Sequence, residues 1–403
     1  MAGKPNPFAA HAAPARQFVG WNRRGLVGIV GPSYGIEKVS YGLMPHGYTF
    51  RQLLRIPLQR LETQGTFWHT TPLLLDHPVE LVHTFNELPL GVRPFVVSFE
   101  NELPRYLGEP PPWQLNRGYS LLASSRCRRI MALSEAAAAG LRARLLERGL
   151  GAVIDKVCVF RGTVVGTPGA AARSGGMNPE PGPRVPGPLR VLFVGRDAFG
   201  KGLLPTLDAI DACRAQGAAI EATVVCNFEL RHYISKGRDA DTSHTVQRMR
   251  AMPGLEYHAR LPNAEIQRLM RTHDVLAFPS LDESLGWVAI EAAMAGMPVI
   301  TTDTFALPEL VQADRTGVLI RLDRNHTGRW TGLWQDGAEF DAQVASTFES
   351  IRCGMQRALL GFVDNPDRVT AMGSAAKAHI ESLYGFAGAQ RQLAVIYDAA
   401  RGA

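Results

Sequence analysis

Two glutamates with seven residues between them, Glu283 and Glu291, mark the segment 278–300, FPSLDESLGWVAIEAAMAGMPVI. Glu283 follows the run 274–280, DVLAFPS, which is mostly apolar, ends at a Pro-Ser break and is typical of a buried strand with its loop. Glu291 lies inside the apolar run WVAIEAAMA, where a carboxylate is costly to bury without a partner. A pair of ligand hydroxyl groups is one suitable partner, so both acids are candidates for binding a polar ligand.

A helix is predicted over residues 285–295, opened by Ser284 and ended by Gly296 as a left-handed cap. In open α/β sheets, ligands lie at the C-terminal ends of the strands, and the free amides at a helix start attract phosphate or sugar oxygens. The amides of residues 284–287 are therefore placed to receive an anion, with Glu283 beside them. The segment predicts a strand, loop, helix, strand unit that binds a sugar nucleotide.

The two acids with this spacing, followed by a helix of small residues, Gly, Pro and a strand, resemble the signature of the family-4 retaining glycosyltransferases of the GT-B fold. The resemblance implies that Glu291 holds the ribose hydroxyls of a nucleoside diphosphate sugar. It also implies that Glu283 and the amides of Ser284, Leu285 and Gly286 face the donor sugar and the distal phosphate. A solvated helix glutamate and a loop glutamate are the alternative.

A second segment, LRVLFVGRDAFGKGLL, places an apolar strand, Leu189–Val194, before two glycines and two cations: Gly195, Gly202, Arg196 and Lys201. Glycines let the backbone approach a phosphate closely, and an arginine with a lysine neutralises a diphosphate without a metal. This charge type fits a UDP or GDP leaving group. A solvated loop with two surface cations is the alternative for the same residues.

Two other nucleotide-binding motifs are incomplete. Gly195, Gly200 and Lys201 match the P-loop pattern, but Gly202 replaces the hydroxyl residue that should bind magnesium, which argues against a P-loop kinase or ATPase. The glycines near residue 31 do not form G-x-G-x-x-G, which argues against a nicotinamide dehydrogenase. No D-x-D motif suited to a metal-bound nucleotide follows a predicted strand, so no metal ligand is predicted.

The N-terminal half offers weaker candidates. Gly31 and Ser33 belong to a turn after the first apolar strand, and the resemblance implies a loop over the donor phosphates, although a simple tight turn fits equally. Family members commonly carry His at the end of the strand that corresponds to PFVVSFEN, where this chain has Glu100. We predict that Glu100 contacts donor or acceptor; the alternative is that His83 or Asn86, near the end of VELVHTFN, contributes instead.

The junction MALSEAAAAGL resembles the family's strand-Ser-Glu-helix junction and predicts Ser134 as a helix N-cap.

The length of 403 residues, with 46% hydrophobic and 20% charged residues, fits a two-domain globular protein. We predict the α/β fold class and a GT-B architecture, in which two Rossmann-like domains face each other across a cleft. The expected divisions are an acceptor-side domain over 1–165, a Pro/Gly-rich linker over 166–188, a nucleotide-sugar-binding domain over 189–366, and C-terminal helices over 367–403 that pack back on the N-terminal domain.

Composition bounds the partners and the compartment. Five widely spaced cysteines without C-x-x-C predict free thiols in a reducing cytosol, and the Pro/Ala-rich Met1–Gln17 does not read as a secretory signal. The net charge is +6, with arginines grouped at three places: Arg51, Arg55, Arg60; Arg126, Arg128, Arg129; Arg142, Arg144, Arg148. Such groups suit contact with an anionic membrane or an anionic acceptor, and a solvated helix face is the alternative. No nucleic-acid-binding motif is present.

Together these patterns predict a cytoplasmic, metal-independent retaining glycosyltransferase of the hexosyltransferase type, acting in part at the inner face of the membrane. Its donor would be a UDP or GDP sugar, no further cofactor is expected, and its product would belong to bacterial polysaccharide, glycolipid or glycoconjugate synthesis. Carbohydrate, lipid-linked and small-molecule acceptors all remain open, as does the oligomeric state. The alternatives are a GT-B sugar-nucleotide epimerase or hydrolase, and a non-catalytic sugar-nucleotide-binding protein.

Overall fold

The computed structural model describes residues 25–30, 48–53, 55–56, 73–74, 79–106, 110–163, 187–229, 232–237 and 242–402. Several predictions fall outside these residues: the turn with Gly31 and Ser33, most of the linker, Arg60 and the segment Met1–Gln17.

The strands of the N-terminal half are β1 Gly25–Val30, β2 Tyr48–Gln52, β3 Arg55–Ile56, β4 Leu73–Leu74, β5 Leu81–Phe85, β6 Phe95–Phe99, β7 Cys127–Ala132 and β8 Val157–Val159. Six of them form a sheet in the order β2-β1-β5-β6-β7-β8, with every neighbouring pair parallel, while β3 and β4 form a separate antiparallel pair. The described helices of this half are α1 Pro112–Ala123 and α2 Glu135–Glu147, with a 3₁₀ helix over Gly151–Lys156. Every residue of β6 is buried, as expected for a parallel strand that is covered on both faces.

The C-terminal half repeats this plan. Its strands are β9 Leu189–Gly195, β10 Ile220–Cys226, β11 Leu255–His258, β12 Val275–Phe278, β13 Val299–Thr302 and β14 Gly317–Ile320, in the order β11-β10-β9-β12-β13-β14 and all parallel. The described helices are α3 Leu203–Ala215, α4 His232–Ser235, α5 Thr242–Ala251, α6 Asn263–Thr272, α7 Trp287–Met294, α8 Leu307–Leu310 and α9 Gly337–Asp364, with a 3₁₀ helix over Thr331–Trp334. The prediction of two Rossmann-like domains is confirmed, although β14 was not predicted.

In each sheet the first strand of the domain lies inside the sheet rather than at its edge. β1 has β2 on one side and β5 on the other, and β9 likewise lies between β10 and β12. The chain therefore extends the sheet in one direction and then in the other, which opens a crevice beyond the C-terminal ends of the central strands. The loops after β9 and β12 meet at this switch point.

Two further helices, α10 Pro366–Tyr384 and α11 Phe386–Gly402, end the described chain. Gly373 of α10 lies so close to the C-terminal domain that an added Cβ would be 1.9 Å from the carbonyl oxygen of Gly296. The next helix, α11, returns to the N-terminal domain, where Gln392 Nε2 donates to the carbonyl oxygen of Val159 at 2.8 Å. Its apolar residues share one buried cluster with the N-terminal sheet, drawn from both parts of the chain: Val27, Leu81, Val96, Met131, Leu393, Ile396, Tyr397 and Ala400.

The five cysteines are free thiols, as predicted, and burial raises the pKa of Cys127 to about 12. Within the described ranges, no helix has both the length and the apolar character that a bilayer crossing requires.

Candidate active site

The loops after β9 and β12, residues 196–202 and 279–286, pack on each other because their strands are neighbours in the sheet. The amide of Leu281 donates to the carbonyl oxygen of Gly200 at 2.8 Å. Gly202 has φ +69°, and an added Cβ would lie 2.6 Å from the carbonyl oxygen of Pro279. Only glycine fits both this backbone angle and this approach. This contact brings Lys201 of the first loop to Glu283 of the second.

Lys201 is the centre of this arrangement. Its Nζ donates to Ser280 Oγ at 3.1 Å and forms an ion pair with Glu283 Oε2. Both charged side chains are largely enclosed, with 11% and 15% of their surfaces exposed, and Nζ lies 5.1 Å from the centroid of the Phe278 ring. An added Cβ on Gly195 would be 2.9 Å from Lys201 Cγ, so the lysine stem runs directly over this glycine. The structure thus joins three of the residues predicted for the site.

Arg196 lies apart from this pair. Its side chain is 68% exposed, and Nη1 is 3.9 Å from Glu229 Oε2, which is a weak surface contact. The arginine therefore remains available to a ligand at low energetic cost, whereas Lys201 must exchange an existing partner.

The helix after Glu283 begins later than predicted. α7 starts at Trp287 with Gly286 as its N-cap, at φ +80°, so Ser284 and Leu285 belong to the loop. The left-handed angle at Gly286 is incompatible with an earlier helical turn, which corrects the prediction of a helix opened by Ser284. Glu291 consequently lies one turn into the helix, on a partly buried position.

On the facing domain, Glu100 follows β6 and lies beside Asn86, which follows β5. Its amide donates to Asn86 Oδ1 at 3.2 Å, and its carboxylate accepts from Asn86 Nδ2 and Arg105 Nη1, both at 3.4 Å. The glutamate keeps 25% of its side chain exposed at the C-terminal edge of the sheet. Asn86, the alternative candidate, is therefore a hydrogen-bond partner of Glu100 at the same edge of the sheet.

His83, the other alternative, is buried inside the N-terminal domain. Nδ1 lies 2.7 Å from the Tyr397 hydroxyl of α11, and Nε2 lies 2.7 Å from Ser98 Oγ. Burial lowers the pKa of His83 to about 4, so the ring is neutral at physiological pH. The histidine thus links the sheet to the C-terminal helix. Ser134, by contrast, is the predicted N-cap: its Oγ accepts from the amide of Ala137 at 3.1 Å.

Sequence reasoning missed an ion pair beside the site. Arg329 donates from Nε to Asp282 Oδ1 at 3.1 Å and from Nη2 to Asp282 Oδ2 at 2.7 Å, and its Nη1 donates across the domain boundary to Asn101 Oδ1 at 3.3 Å. Burial opposes the charge on Arg329, but the Asp282 carboxylate outweighs it and raises the pKa of the arginine. The pairing joins residues 47 apart without any shared motif. The available signal was the tryptophan-rich stretch around Arg329.

A second contact between the domains was also missed. The Glu309 carboxylate of α8 accepts from the amides of Glu135 and Ala136 at the start of α2, both at 2.9 Å, and from Arg161 Nη2 at 2.9 Å. A negative charge at a helix N-terminus is favourable, because the free amides and the helix dipole attract it. A carboxylate of one domain thus caps a helix of the other.

Comparisons with known proteins agree with this geometry. A family model described as glycosyl transferases group 1 matches residues 188–327. A D-inositol 3-phosphate glycosyltransferase of Streptomyces scabiei is 35% identical over 130 residues, which are 32% of this chain and 23% of that protein. A glycogen synthase of Mycobacterium tuberculosis is 30% identical over 132 residues, which are 33% of this chain and 30% of that protein. The alignments thus span less than a third of these relatives' own lengths.

Among solved structures, HepE of Anabaena in complex with UDP and glucose has a TM-score of 0.56 at 13% identity, covering 93% of this chain and 99% of that one. A glycosyltransferase from Rickettsia africae has a TM-score of 0.56 at 15% identity, covering 94% and 99%. Likeness at this identity concerns the fold, and it extends over both domains. The chain therefore has the GT-B fold, and its residues 188–327 match the glycosyl transferases group 1 family model.

Proposed function

We propose that this protein moves a sugar from a nucleoside diphosphate sugar to an acceptor hydroxyl, with retention of configuration at the anomeric carbon. The observation that carries the proposal is the enclosed Lys201 ammonium, held by Glu283 and Ser280 where the loops after β9 and β12 meet. This position is the switch point of a parallel sheet, where nucleotides bind. HepE, which shares the fold, has been solved with UDP, with UDP and glucose, and with UDP-glucose.

The donor would lie with its diphosphate against the two loops. Lys201 would leave Glu283 for the distal phosphate, and the exposed Arg196 would add a second positive charge. The amides of residues 284–286 would donate to the remaining phosphate or sugar oxygens, and Glu291 would hold the ribose hydroxyls. Two cations replace the metal that a diphosphate otherwise needs, so we propose that the reaction is independent of metal ions. The donor class is a UDP or GDP sugar.

In the reaction, the bond between the anomeric carbon and the distal phosphate oxygen breaks, and its electron pair leaves with the diphosphate. The acceptor oxygen forms its bond to the same carbon from the face that the diphosphate leaves, and its proton passes to the departing phosphate oxygen. Lys201 and Arg196 stabilise the charge that develops on the leaving group, which is the main catalytic contribution in this scheme. Glu100 would face the reacting groups from the other domain. The assignments of Gly31 and Ser33 rest on sequence alone.

We place the product in the synthesis of a bacterial polysaccharide, glycolipid or glycoconjugate, made in the cytoplasm, with peripheral contact to an anionic membrane through the arginine groups. Lys201→Ala and Glu291→Ala should each weaken binding of the nucleotide, because both side chains act on the ligand. Lys377→Ala is the matched control, since this lysine lies on α10 and belongs to neither of the two loops.

The experiment is calorimetric titration of the wild-type chain with UDP, GDP, ADP and CMP, with EDTA and with magnesium. We expect one nucleoside diphosphate to bind equally under both conditions and at least about tenfold more weakly to either site variant, the loss of one charge-assisted contact. Equal affinity in both variants and the control would refute the site. Binding followed only by hydrolysis or epimerisation of the sugar would favour the first alternative, and binding without turnover on any acceptor would favour a non-catalytic protein.

A further inference from the structure

Three exposed aromatic residues lie in short stretches that follow the C-terminal ends of strands in the two domains. Among the described residues, Trp113, Tyr233 and Trp334 expose 60%, 51% and 58% of their surfaces. Trp113 follows the C-terminal end of β6, Tyr233 that of β10 and Trp334 that of β14. The hydrogen bond from Arg329, after β14, to Asn101, after β6, shows that two of these strand ends face each other. Large exposed aromatic side chains at such an edge indicate a binding surface.

Trp334 is held in place from beneath. Its neighbour Trp330 is fully buried, donates from Nε1 to Thr347 Oγ1 at 3.0 Å, and packs edge-on against the Phe340 ring at 6.0 Å between centroids. Gly332 lets the 3₁₀ helix close over this ring, because an added Cβ would lie 2.3 Å from the Trp330 ring. The exposed indole is thus presented by a rigid turn, which reduces the entropy lost when a ligand binds.

The same turn is joined to the donor loops. Trp330 shares a buried cluster with Phe199 of the loop after β9 and Leu281 of the loop after β12. The guanidinium of Arg329 lies 6.0 Å from the centroid of the Trp334 ring. It also donates two hydrogen bonds to Asp282, the residue before Glu283. A group on Trp334 would therefore lie next to the donor site. Arg329, Trp330 and Trp334 follow position 327, where the family match ends, whereas Phe199, Leu281 and Asp282 lie within it.

We propose that Trp334 is the stacking platform of an acceptor subsite, and that the acceptor is a saccharide whose ring lies on the indole face. This inference rests on the proposed donor site. The apolar face of a pyranose ring, formed by C–H groups, complements an indole, while its hydroxyls need charged or polar partners around the ring. Arg329, with 18% of its side chain exposed, and the partly exposed Glu102, which interacts electrostatically with Arg329, provide such partners. An acyl chain would be poorly matched, because it would bring apolar surface against ionised groups.

The test compares wild type with Trp334→Ala, Trp334→Phe and Leu146→Ala, the last removing an exposed hydrophobic residue from α2. The probes are the di- and trisaccharides of glucose, galactose and mannose, examined by saturation-transfer NMR with UDP and with GDP present. Vesicles of phosphatidylcholine and phosphatidylglycerol at three to one are examined by co-sedimentation. Nucleotide affinity is measured by calorimetry in every variant.

We expect a saccharide to bind the wild type and to bind Trp334→Ala about tenfold more weakly, with Trp334→Phe in between and Leu146→Ala unchanged. Nucleotide affinity should be the same in all four proteins. Undiminished saccharide binding by Trp334→Ala would overturn the proposal, and so would vesicle binding that depends on Trp334 with no saccharide bound. If no nucleotide binds the wild type but saccharide binding still depends on Trp334, the platform stands and the donor assignment fails.

Discussion

Arg329 donates two parallel hydrogen bonds to Asp282, at 3.1 and 2.7 Å, and its third nitrogen donates to Asn101 of the other domain at 3.3 Å. The arginine exposes 18% of its side chain and the aspartate 7%. Because Asp282 precedes Glu283, this fork fixes the loop that carries the partner of Lys201. Arg329 also contacts the facing domain, so the position of the two domains and the shape of the loop after β12 are physically connected.

Replacing Arg329 with lysine should destabilise the protein although the charge is kept. A lysine cannot form the planar fork, which leaves a nearly buried carboxylate with a poorer partner, and we expect a loss of about 2 kcal/mol in the free energy of unfolding. Urea denaturation measures it. The control is Arg268→Lys, whose exposed pair with Glu265 should change stability by less than about 0.5 kcal/mol. Equal effects in the two variants would contradict the structural role of the fork.

Removing the Glu309 carboxylate should loosen the contact between the domains. Glu309→Ala leaves the amides of Glu135 and Ala136, and Arg161, without this acceptor, at a cost of about 1–2 kcal/mol. Hydrogen exchange at residues 135–137 should become faster, and small-angle scattering should show a larger radius of gyration. Glu339→Ala, an exposed first-turn acid of α9, is the control and should alter neither measurement. Unchanged exchange at 135–137 would argue against the cap.

The protein should become less stable as the pH falls, because His83 is buried in its neutral form. Its folded pKa of about 4 lies below the value of about 6.5 expected in the unfolded chain. Between these pH values the unfolded state binds a proton that the folded state does not, so the contribution is complete above 6.5 and is lost as the pH falls toward 4. The loss amounts to about 3 kcal/mol.

The measurement for His83 is the free energy of unfolding between pH 7 and 4.5 for wild type and His83→Asn. The two curves should converge as the pH falls, because the variant lacks the titrating group. His326→Asn, which replaces an exposed histidine, should run parallel to wild type. A His83→Asn curve that also stays parallel would show that the ring is not held neutral.

Gly202→Ala should lower the stability of the protein more than an alanine substitution at a glycine that has only a left-handed angle. The substitution imposes a left-handed angle on alanine, which costs about 1–2 kcal/mol, and adds a clash with the Pro279 carbonyl 2.6 Å away. Gly217 has φ +84° and open space around it, so Gly217→Ala measures the cost of the backbone angle alone. We expect Gly202→Ala to lose clearly more stability and to bind the nucleotide more weakly. Indistinguishable variants would mean that the two loops separate easily.

The sequence patterns predicted best where a local rule decides the structure. β12, β13 and the left-handed Gly296 follow from apolar runs and one glycine, and the cap at Ser134 follows from the hydroxyl at a strand-helix junction. The start of α7 was predicted too early. A second glycine, Gly286, has a left-handed angle, and the neighbouring residue types do not indicate this. Conformation at a glycine depends on packing, here against Leu307 and Leu310 from the next unit of the sheet.

The contacts that join distant segments could not be predicted in the same way. Arg329 with Asp282, Glu309 with α2, and His83 with Tyr397 each pair residues whose identities suit many other partners. Only the fold decides which of these groups meet. The acids and cations of the loops after β9 and β12 were singled out because they form a local motif, whereas these contacts depend on how distant segments of the chain pack together.

The buried cluster between α11 and the N-terminal sheet bears on how the protein is made. The strands that α11 covers belong to residues 25–132, while α11 itself spans Phe386–Gly402. Translation therefore supplies this helix, which covers part of the sheet, only near the end of the described chain. Domains usually complete their folding in the order of synthesis. Here the C-terminal domain can close first, whereas the N-terminal domain, although made earlier, gains this part of its core only after α11 has been synthesised.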